Sequence, residues 1–269
     1  MGQLFVIGTP IGHRFDVTVR ALQTIPDLTG LACEDTRETQ KFLSMHGLRL
    51  PLVSYHAHNA QTQAYVLLSR LKRGESWGLV TDQGMPGVSD PGPFLVRLCH
   101  DHNIPTTVLP GPSAVTAALS LAGLAGQTFY FQGFLPRKGA KIVIKSLKTL
   151  SSLVVFFESS PRILATLDQL HQSWGPRNVT CMRELTKKFE TLYTGSFPQV
   201  IEQIQKQPVK GEWVFVVEGF SASDYREHIT ETLSHIFRAS SSPEMLRRTL
   251  DAFPHACKRK LYQALHNLE

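Results

Sequence analysis

Cysteine pairs are missing from this chain of 269 residues. Its four cysteines, Cys33, Cys99, Cys181 and Cys257, lie far apart in the sequence, and no C-x-x-C pair occurs. We therefore expect neither disulfide bonds nor a structural zinc site. The H-A-H motif at residues 56–58 would bind a metal ion only on a strand with a third ligand nearby, so we interpret it as polar loop residues and expect no metal centre.

Long apolar runs are missing as well. The longest candidate, Ala114 to Ala125, is shorter than a membrane-spanning helix and contains Thr116 and Ser120. The first residues enter a strand-like segment without the basic and apolar regions of a signal peptide. The sequence therefore predicts a cytoplasmic protein that does not associate with membranes.

Acidic residues are missing from one long segment. Between Asp101 and Glu158 there is no Asp or Glu, in a chain whose net charge is +6. That segment contains a short cationic stretch made of Arg137, Lys138, Lys141, Lys145 and Lys148. Cations without counter-charges favour a phosphate-binding surface, and the alternative is an ordinary solvated helix face.

The signature of nucleoside triphosphate hydrolysis is not found. The segment Gly8-Thr9-Pro10-Ile11-Gly12 follows an apolar run, but no Gly-Lys-Ser/Thr comes after it and its glycines lack the G-x-G-x-x-G spacing. It predicts a tight turn whose backbone can approach a ligand closely.

The first half of the chain alternates β-rich runs with helical stretches. The runs are Leu4–Ile7, Leu31–Cys33, Trp77–Thr81 and Pro105–Leu109. Apolar residues between them recur at helical spacing, for example Tyr65, Leu68 and Leu71. This alternation predicts an α/β fold with a largely parallel sheet, in which ligands bind at the carboxyl ends of the strands.

The second half has a different pattern. Residues 127–136 are interpreted as a linker with one strand at Phe129–Phe131, and helices then mix with strands that can pair antiparallel. The later elements expected are strands 153–157, 179–184, 191–193 and 213–218 and helices 163–174 and 198–205. We expect two α/β domains, at 1–124 and 125–220, with a ligand cleft between them.

Residues 221–269 are predicted to form a small helical extension. Ile229, Leu233 and Phe237 recur every four residues, and residues 241–244 resemble a helix start. The last stretch contains Lys258-Arg259-Lys260. The extension is either an RNA-contacting appendage or a packed helical cap.

Two loops in the first half are rich in glycine and proline. The segment Asp82–Gly92 contains three glycines, two prolines and two aspartates in eleven residues, which is typical of an ordered loop with exposed backbone groups. Pro110-Gly111-Pro112-Ser113 precedes a helix of small residues whose free N–H groups favour an anion. We expect both loops to contact a ligand.

Several segments, in order from Leu4 to Gly219, resemble one family. The motifs are T-P-I-G at 9–12, E-D-T-R at 34–37, H-A-H-N at 56–59, D-x-G-x-P at 82–86, S-D-P-G at 89–92, L-P-G-P at 109–112, G-F-L-P-R-K at 133–138, F-E-S at 157–159, R-E-L-T-K at 183–187 with Glu190, and K-G-E at 210–212. The chain resembles the bacterial 16S ribosomal RNA (cytidine-2′-O)-methyltransferases of the small-subunit I type, in the tetrapyrrole methylase superfamily of class III S-adenosylmethionine (SAM) methyltransferases.

The resemblance implies a function and an assembly. It implies a two-domain fold with SAM in the cleft between the domains, a homodimer formed through the second domain, and methylation of a decoding-centre cytidine in the small ribosomal subunit. Because SAM carries an already activated methyl group, such a site acts mainly by positioning. The cationic stretch, next to Phe131 and Phe134, would then bind RNA, although both phenylalanines are also candidates for the core.

The resemblance also implies site residues. Those expected to bind SAM are Pro10, Asp82, Gly84, Pro86, Asp90, Ser113 and Ala114, with Leu185 and Thr186 from the second domain. Those expected to handle the proton of the ribose hydroxyl or to stabilise its charge are Glu34 and Lys187, with Arg37 as a phosphate partner and Glu158 and Glu184 as further candidates. Those expected to bind RNA are Arg137, Lys138, Lys141 and Lys145.

The chain departs from the family pattern at a few loop positions. His13-Arg14 replaces the usual Asn-Leu, Met85 the usual Thr, Ser160-Pro161 the usual Pro-His, and Ala60 the usual acid. Two other functions stay open: methylation of a corrin or porphyrin ring, and a ribosome-binding protein of the same fold that has lost catalysis.

Overall fold

A computed structural model gives the structure of residues 2–126 and 128–220. The predicted helical extension at 221–269, with its apolar positions and its basic end, lies outside the described residues. In the described part of the chain, no helix is long and apolar enough to cross a bilayer.

The first half forms a parallel sheet of five strands. The strands are β1 (Leu4–Ile7), β2 (Gly30–Cys33), β3 (Leu52–Ser54), β4 (Trp77–Leu79) and β5 (Thr106–Leu109), in the spatial order β3-β2-β4-β1-β5. The helices are α1 (Val19–Thr24), α2 (Thr36–Met45), α3 (Ala60–Lys72), α4 (Pro93–Asp101) and α5 (Ala114–Leu121). The predicted parallel sheet is confirmed, and strand β3 is an addition that the sequence reasoning missed.

Helix α3 shows how the apolar spacing works. Its buried residues are Ala64, Leu67, Leu68 and Leu71, which lie on one face. Tyr65 was expected on this face but is 57% exposed, because Ala64 takes the buried position at that turn of the helix.

The second half forms a mixed sheet of five strands. Its strands are β6 (Phe129–Phe134), β7 (Leu153–Ser159), β8 (Asn178–Arg183), β9 (Thr191–Ser196) and β10 (Glu212–Val217), in the order β6-β7-β10-β8-β9. Its helices are α6 (Ala140–Leu147), α7 (Ile163–Trp174) and α8 (Phe197–Gln205). Strands β6 and β7 are parallel and the other pairs are antiparallel.

The linker predicted at residues 127–136 is corrected by the structure. Strand β6 runs to Phe134 rather than ending at Phe131, because an irregularity between Phe131 and Gly133 lets it continue along β7. Gly133 has φ +69°, a conformation that favours glycine at this bulge.

Helix α5 packs on one face of the second sheet. Its buried residues Val115 and Ala118 join a core cluster that includes Val155 of β7 and Val216 of β10. The hydroxyl of buried Thr180 on β8 donates a hydrogen bond of 2.8 Å to the carbonyl of Ala122, just after the helix. The last helix of the first half is therefore fixed to the sheet of the second half.

The opposite face of this sheet is covered by helices of the second half. Side chains alternate along a strand, so Phe156 and Phe215 point away from Val155 and Val216. Their rings stack at 4.9 Å, and Trp174 of α7 lies 6.0 Å from Phe156. The strands of the two sheets fall on either side of residue 125, but both sheets belong to one compact unit. The domain division at 124/125 stays a prediction.

Replacing Ala118 by leucine tests the packing of α5. Ala118 is fully buried in the cluster that joins the two halves, so a larger side chain has to displace a strand or the helix. We expect A118L to lower the free energy of unfolding by about 1–3 kcal/mol in urea denaturation. The control is S120L, which adds the same side chain at an exposed position of α5 and should change stability by less than about 0.5 kcal/mol. Equal stability of A118L and S120L would contradict this packing.

Candidate functional site

Both halves of the chain contribute to one cavity of about 750 Å³. Its lining from the first half is Ile11, Glu34, Asp82, Gln83, Gly84, Met85, Val88, Ser89, Asp90, Ser113 and Ala114. Its lining from the second half is Phe134, Phe157, Glu158, Ser159, Ser160, Pro161, Leu185, Val209, Lys210, Gly211, Glu212, Trp213 and Val214. We call these two sets of residues the first wall and the second wall.

The first wall is built by loops that follow the parallel strands. Since parallel strands point the same way, the loops after β1, β2, β4 and β5 meet at one edge of the sheet. Thr9 and Gly84 form an isolated antiparallel bridge, with N–H to carbonyl distances of 2.9 and 3.1 Å in the two directions. The Thr9 hydroxyl also donates to the carbonyl of Thr81 at 3.0 Å. The loop after β1 thereby holds the start of the glycine-rich loop in place.

Two glycines let the loops after β1 and β5 touch each other. A Cβ on Gly8 would lie 2.6 Å from the Cα of Gly111, and a Cβ on Gly111 would lie 2.8 Å from the Cα of Gly8. Both contacts are with backbone, which cannot move aside as a flexible side chain can. Glycine is therefore required for the close approach of these strand ends.

The second wall contains a tight turn at residues 184–187. Glu184 and Thr186 both have positive φ, +53° and +62°, which is uncommon for residues other than glycine. The Glu184 N–H donates to the carbonyl of Glu212 at 2.9 Å, and the Thr186 N–H donates to Glu190 Oε2 at 2.5 Å. These bonds hold the strained turn so that Leu185 faces the cavity.

The turn at 184–187 also contacts the loop after β1. A Cβ on Gly12 would lie 2.5 Å from Thr186 Oγ1 and 2.6 Å from Lys187 Cγ. The N–H of His13 donates to Thr186 Oγ1 at 3.0 Å. Glycine at position 12 therefore allows the two halves to meet beside Ile11.

Charged side chains connect the two walls. Lys187 Nζ lies 2.7 Å from Glu212 Oε2 and 3.2 Å from Glu184 Oε1. The other carboxylate oxygen of Glu212 accepts a hydrogen bond of 3.1 Å from Gln83 Nε2 of the first wall. Burial lowers the pKa of Lys187, but the hydrogen bonds and charges of Glu212 and Glu184 outweigh it and raise that pKa. Lys187 is therefore held as a cation, so it is not a neutral amine base here.

Three carboxyl groups are gathered on the first wall. Burial, followed by repulsion from Glu34 and Asp82, raises the pKa of Asp90 to about 7. Burial and the charge of Asp82 raise the pKa of Glu34, and burial also raises that of Asp82. Their mutual repulsion is relieved by a positively charged ligand, so the wall favours a cation.

Glu158 is satisfied within the protein. Its fully buried carboxylate accepts hydrogen bonds from the Thr166 hydroxyl at 2.9 Å and the Ser159 N–H at 2.8 Å, and Arg162 lies 3.4 Å away. Both oxygens of Glu158 have partners within the protein, so this carboxylate has a structural role in the second wall.

The cavity gathers most of the predicted SAM residues. Asp82, Gly84, Asp90, Ser113, Ala114 and Leu185 line it, as does Glu34. Pro10, Pro86 and Thr186 belong to the same loops but are not part of its lining. Lys187 also lies outside the lining and reaches it through Glu212.

Arg37 lies elsewhere. Its side chain is 83% exposed and bonds both carboxylate oxygens of Asp35, at 3.1 and 2.6 Å, which lowers the pKa of Asp35 to about 2. Arg37 lines a separate surface groove with Gln40 and Leu52. The structure does not bring it together with Glu34 and Lys187 at the cavity.

Several lining residues escaped the sequence reasoning as site residues. Gln83, Phe157, Gly211 and Glu212 lie on the walls, although none was assigned a role. The F-E-S and K-G-E motifs at 157–159 and 210–212 belong to the resemblance to the family, and they are the sequence signal for three of these residues. Gln83 lies inside the glycine-rich loop. Its role at the cavity follows from its hydrogen bond to Glu212, which the sequence does not show.

The cationic stretch begins next to the cavity. Phe134 is 54% exposed and lines the second wall, so of the two alternatives it is not a core residue. Phe131 is half-buried, packs against the core cluster of the second sheet and lies 5.0 Å from Phe157. Arg137 and Lys138 follow in an exposed loop, and Lys141 and Lys145 lie one turn apart on α6. Among the described residues, none of these four cations has an ion-pair partner within 4 Å.

Three of the unusual loop residues, Met85, Ser160 and Pro161, line the cavity. Met85 lies against Gly8 and Pro161 belongs to the second wall, yet the space of about 750 Å³ stays open beside them. In residues 2–126 and 128–220, no group of three or more His, Cys, Asp or Glu side chains is placed to hold a metal ion.

Comparisons with known proteins agree with this architecture. The family model of tetrapyrrole (corrin/porphyrin) methylases matches residues 3–201. The uroporphyrin-III C-methyltransferase of Thermus thermophilus, solved in complex with S-adenyl homocysteine, is similar to this chain with a TM-score of 0.59 at 16% identity. That similarity covers 81% of this chain and 97% of the solved chain, and it shows the shared fold.

Curated relatives are more similar in sequence. The ribosomal RNA small subunit methyltransferase I of Thermotoga maritima is 39% identical, over 81% of this chain and 99% of its own length. The protein of the same name from Bacillus subtilis is 34% identical, over 99% of this chain and 94% of its own length. The chain thus belongs to the tetrapyrrole (corrin/porphyrin) methylases and, within them, to the ribosomal RNA small subunit methyltransferase I family.

Proposed function

We propose that this protein transfers the methyl group of SAM to 16S ribosomal RNA of the small subunit, at the ribose 2′-oxygen of a cytidine. The observation that carries the proposal is the cavity itself. It joins three carboxyl groups of the first wall to apolar residues of the second wall, in a chain whose relatives are ribosomal RNA methyltransferases.

The residues present suit SAM. The ligand carries positive charge on its sulfonium and ammonium groups, and Asp82 and Asp90 supply carboxylates to balance it. Phe157 and Leu185 offer apolar surface to its adenine ring. A volume of about 750 Å³ is within the range of small-molecule sites.

When bound, SAM supplies an activated methyl group, and the residues of this chain position the acceptor and handle its proton. Glu34 is proposed as the base for the ribose hydroxyl, because its raised pKa makes it a better proton acceptor than an ordinary carboxylate. Lys187 is proposed to act as a cation that orients Glu212 at the cavity. Asp82 and Asp90 are proposed to hold the charged groups of the cofactor, together with the backbone of Gly84.

RNA is proposed to approach along the cationic stretch. Phe134 offers an exposed ring on the cavity wall, and Arg137 and Lys138 follow it by a few residues. Cations that hold phosphates, next to an aromatic ring that stacks on a base, are the usual means of binding single-stranded RNA. Arg37, in its separate groove, is proposed to bind a more distant phosphate.

The proposal also covers the location and the assembly of the protein. We place the protein in the cytoplasm, where the small ribosomal subunit is found. We also propose a homodimer formed through the second half, with a division between cofactor-binding halves near residue 125.

A tetrapyrrole substrate is the second candidate, since the family model is named after corrin and porphyrin methylases. That function leaves the exposed cations at 137–145 without a role. Turnover on a tetrapyrrole and none on ribosomal subunits would favour it, whereas absence of SAM binding would favour a ribosome-binding protein without catalysis.

The experiment that tests the proposal uses labelled SAM. Small ribosomal subunits from a strain lacking the gene are incubated with the protein, and the label is mapped on the RNA. We expect it on the ribose of one cytidine. Label on a base would contradict 2′-oxygen transfer, and an unlabelled subunit would contradict the proposed substrate.

The same assay tests the role of Glu34. E34Q should bind SAM with near-normal affinity and slow single-turnover transfer by about 10²-fold to 10⁴-fold, because it cannot accept the proton. The control is E38Q, at an exposed residue of α2 outside the cavity lining. Transfer by E34Q at the wild-type rate would exclude Glu34 as the base.

Asp90 should make SAM binding depend on pH. Its pKa of about 7 means that its carboxyl group is neutral below pH 7 and charged above it. We expect the affinity for SAM to rise by about twofold to fivefold from pH 5.5 to pH 7.5 in calorimetry, and this rise to disappear in D90N. An equal rise in D90N would contradict the contact.

Thermal unfolding provides a control for this pH effect. Because the pKa of Asp90 is raised in the folded protein, its ionisation opposes folding progressively from about pH 4 to pH 7. Without SAM, D90N should therefore become more stable than the wild type as the pH rises through this window. The substitution thus increases stability while it decreases the affinity for SAM.

Charge removal tests the cationic stretch. R137Q/K138Q should bind RNA more weakly, with a salt dependence reduced by about one unit of slope per lost phosphate contact, and should bind SAM normally. The control K72Q/K206Q removes two exposed lysine charges from other surfaces. Equal effects of the two double variants, or an equal loss of SAM and RNA affinity in R137Q/K138Q, would contradict the assignment.

A further inference from the structure

An exposed turn lies just outside the cavity in the first half of the chain. It consists of His13, Arg14 and Phe15, which we call the His13–Phe15 turn. It begins two residues after Ile11 of the cavity wall, and the Asp16 N–H donates to the His13 carbonyl at 2.9 Å to close it. This turn contains the His-Arg pair by which the chain departs from its family pattern.

The turn presents an aromatic ring under a cation. The guanidinium carbon of Arg14 lies 4.8 Å from the centroid of the Phe15 ring, and the His13 ring lies 5.7 Å from it. The Phe15 ring also makes an edge contact with the His46 ring, with 6.4 Å between their centroids. The His46 ring in turn packs on the Phe42 ring, with 5.1 Å between their centroids. The ring is thus supported by a fixed base.

The support leaves most of Phe15 exposed. Its side chain is 64% accessible, although burial of a phenylalanine is favourable by about 1.5–3 kcal/mol. The ring is accessible, and a ligand that stacks on it would bury this exposed apolar surface.

The charge of the turn indicates the kind of ligand. Arg14 has no ion-pair partner within 4 Å among the described residues, and the turn's only acidic neighbour in sequence is Asp16. An exposed aromatic ring, with a guanidinium that has no ion-pair partner among the described residues, matches an unpaired nucleotide, whose base stacks and whose phosphate is negative.

The turn is also fixed relative to the cavity. The His13 N–H donates to Thr186 Oγ1 at 3.0 Å, and Gly12 touches the same threonine of the second half. A strand of RNA that places one nucleotide in the cavity beside Ile11 therefore passes close to the turn.

We propose that the His13–Phe15 turn binds a nucleotide that flanks the methylated one, with its base stacked on Phe15 and its phosphate on Arg14. The proposal rests on the RNA substrate proposed above and adds a second RNA contact, on the half of the chain that does not contain the cationic stretch.

The test is direct binding of a fluorescent single-stranded oligoribonucleotide that spans the decoding region of 16S ribosomal RNA. F15A should weaken binding by about 5-fold to 150-fold, the range measured for loss of one stacked base. F15W should bind as tightly as the wild type, because a larger ring restores the stacking. R14A should reduce the slope of affinity against salt by about one unit.

Controls separate RNA binding from folding and from cofactor binding. Y65A removes another exposed aromatic ring, on α3, and should leave RNA affinity unchanged. The affinity of F15A for SAM, measured by calorimetry, should stay within about twofold of the wild type. RNA binding by F15A at wild-type strength would overturn the proposal, and so would a parallel loss of RNA and SAM affinity.

The methylation assay then distinguishes this proposal from the proposed function. If F15A loses RNA binding while the wild type fails to methylate subunits, the turn is an RNA contact and the proposed reaction is wrong. If the wild type methylates subunits while F15A binds RNA normally, the reaction stands and the turn has no part in it.

Discussion

The packing of α5 on the second sheet is the contact on which the site depends. Its buried face consists of small and branched residues, Val115 and Ala118, so that the helix backbone comes close to β7 and β10. The same helix begins with Ala114 on the cavity wall. A helix of larger residues would hold the second sheet further away and widen the cavity. Helix α5 thus contributes to the first wall and also sets the distance between the first wall and the second wall.

Carboxyl groups and cations occupy different parts of the site. The first wall concentrates carboxyl groups, and Asp90 is held so that it ionises only near pH 7. On the second half, Lys187 is held as a cation between Glu184 and Glu212. Gln83 reaches from the first wall to the same Glu212. In the proposed function, Asp82 and Asp90 face a cationic cofactor and the exposed cations at 137–145 face a polyanion.

Much of this arrangement follows from the sequence, and the rest depends on tertiary contacts. Periodicity predicted the parallel sheet, and the glycine-rich loops predicted the first wall, because both signals are local. Strand β3 has three residues, none of them fully buried, so it gives too little apolar pattern to detect. The bulge that extends β6 beyond Phe131 depends on pairing with β7. The roles of Gln83 and Glu212 arise from a bond between residues 129 positions apart, which no local pattern reveals.

In the proposed function, one cofactor is held by both halves of the chain at once. A crystal structure of the protein grown with SAM tests it most directly. We expect SAM to contact the loop at 82–90 and the turn at 184–187 together. A ligand held by one half alone, or a cavity filled by the side chain of Met85, would contradict it.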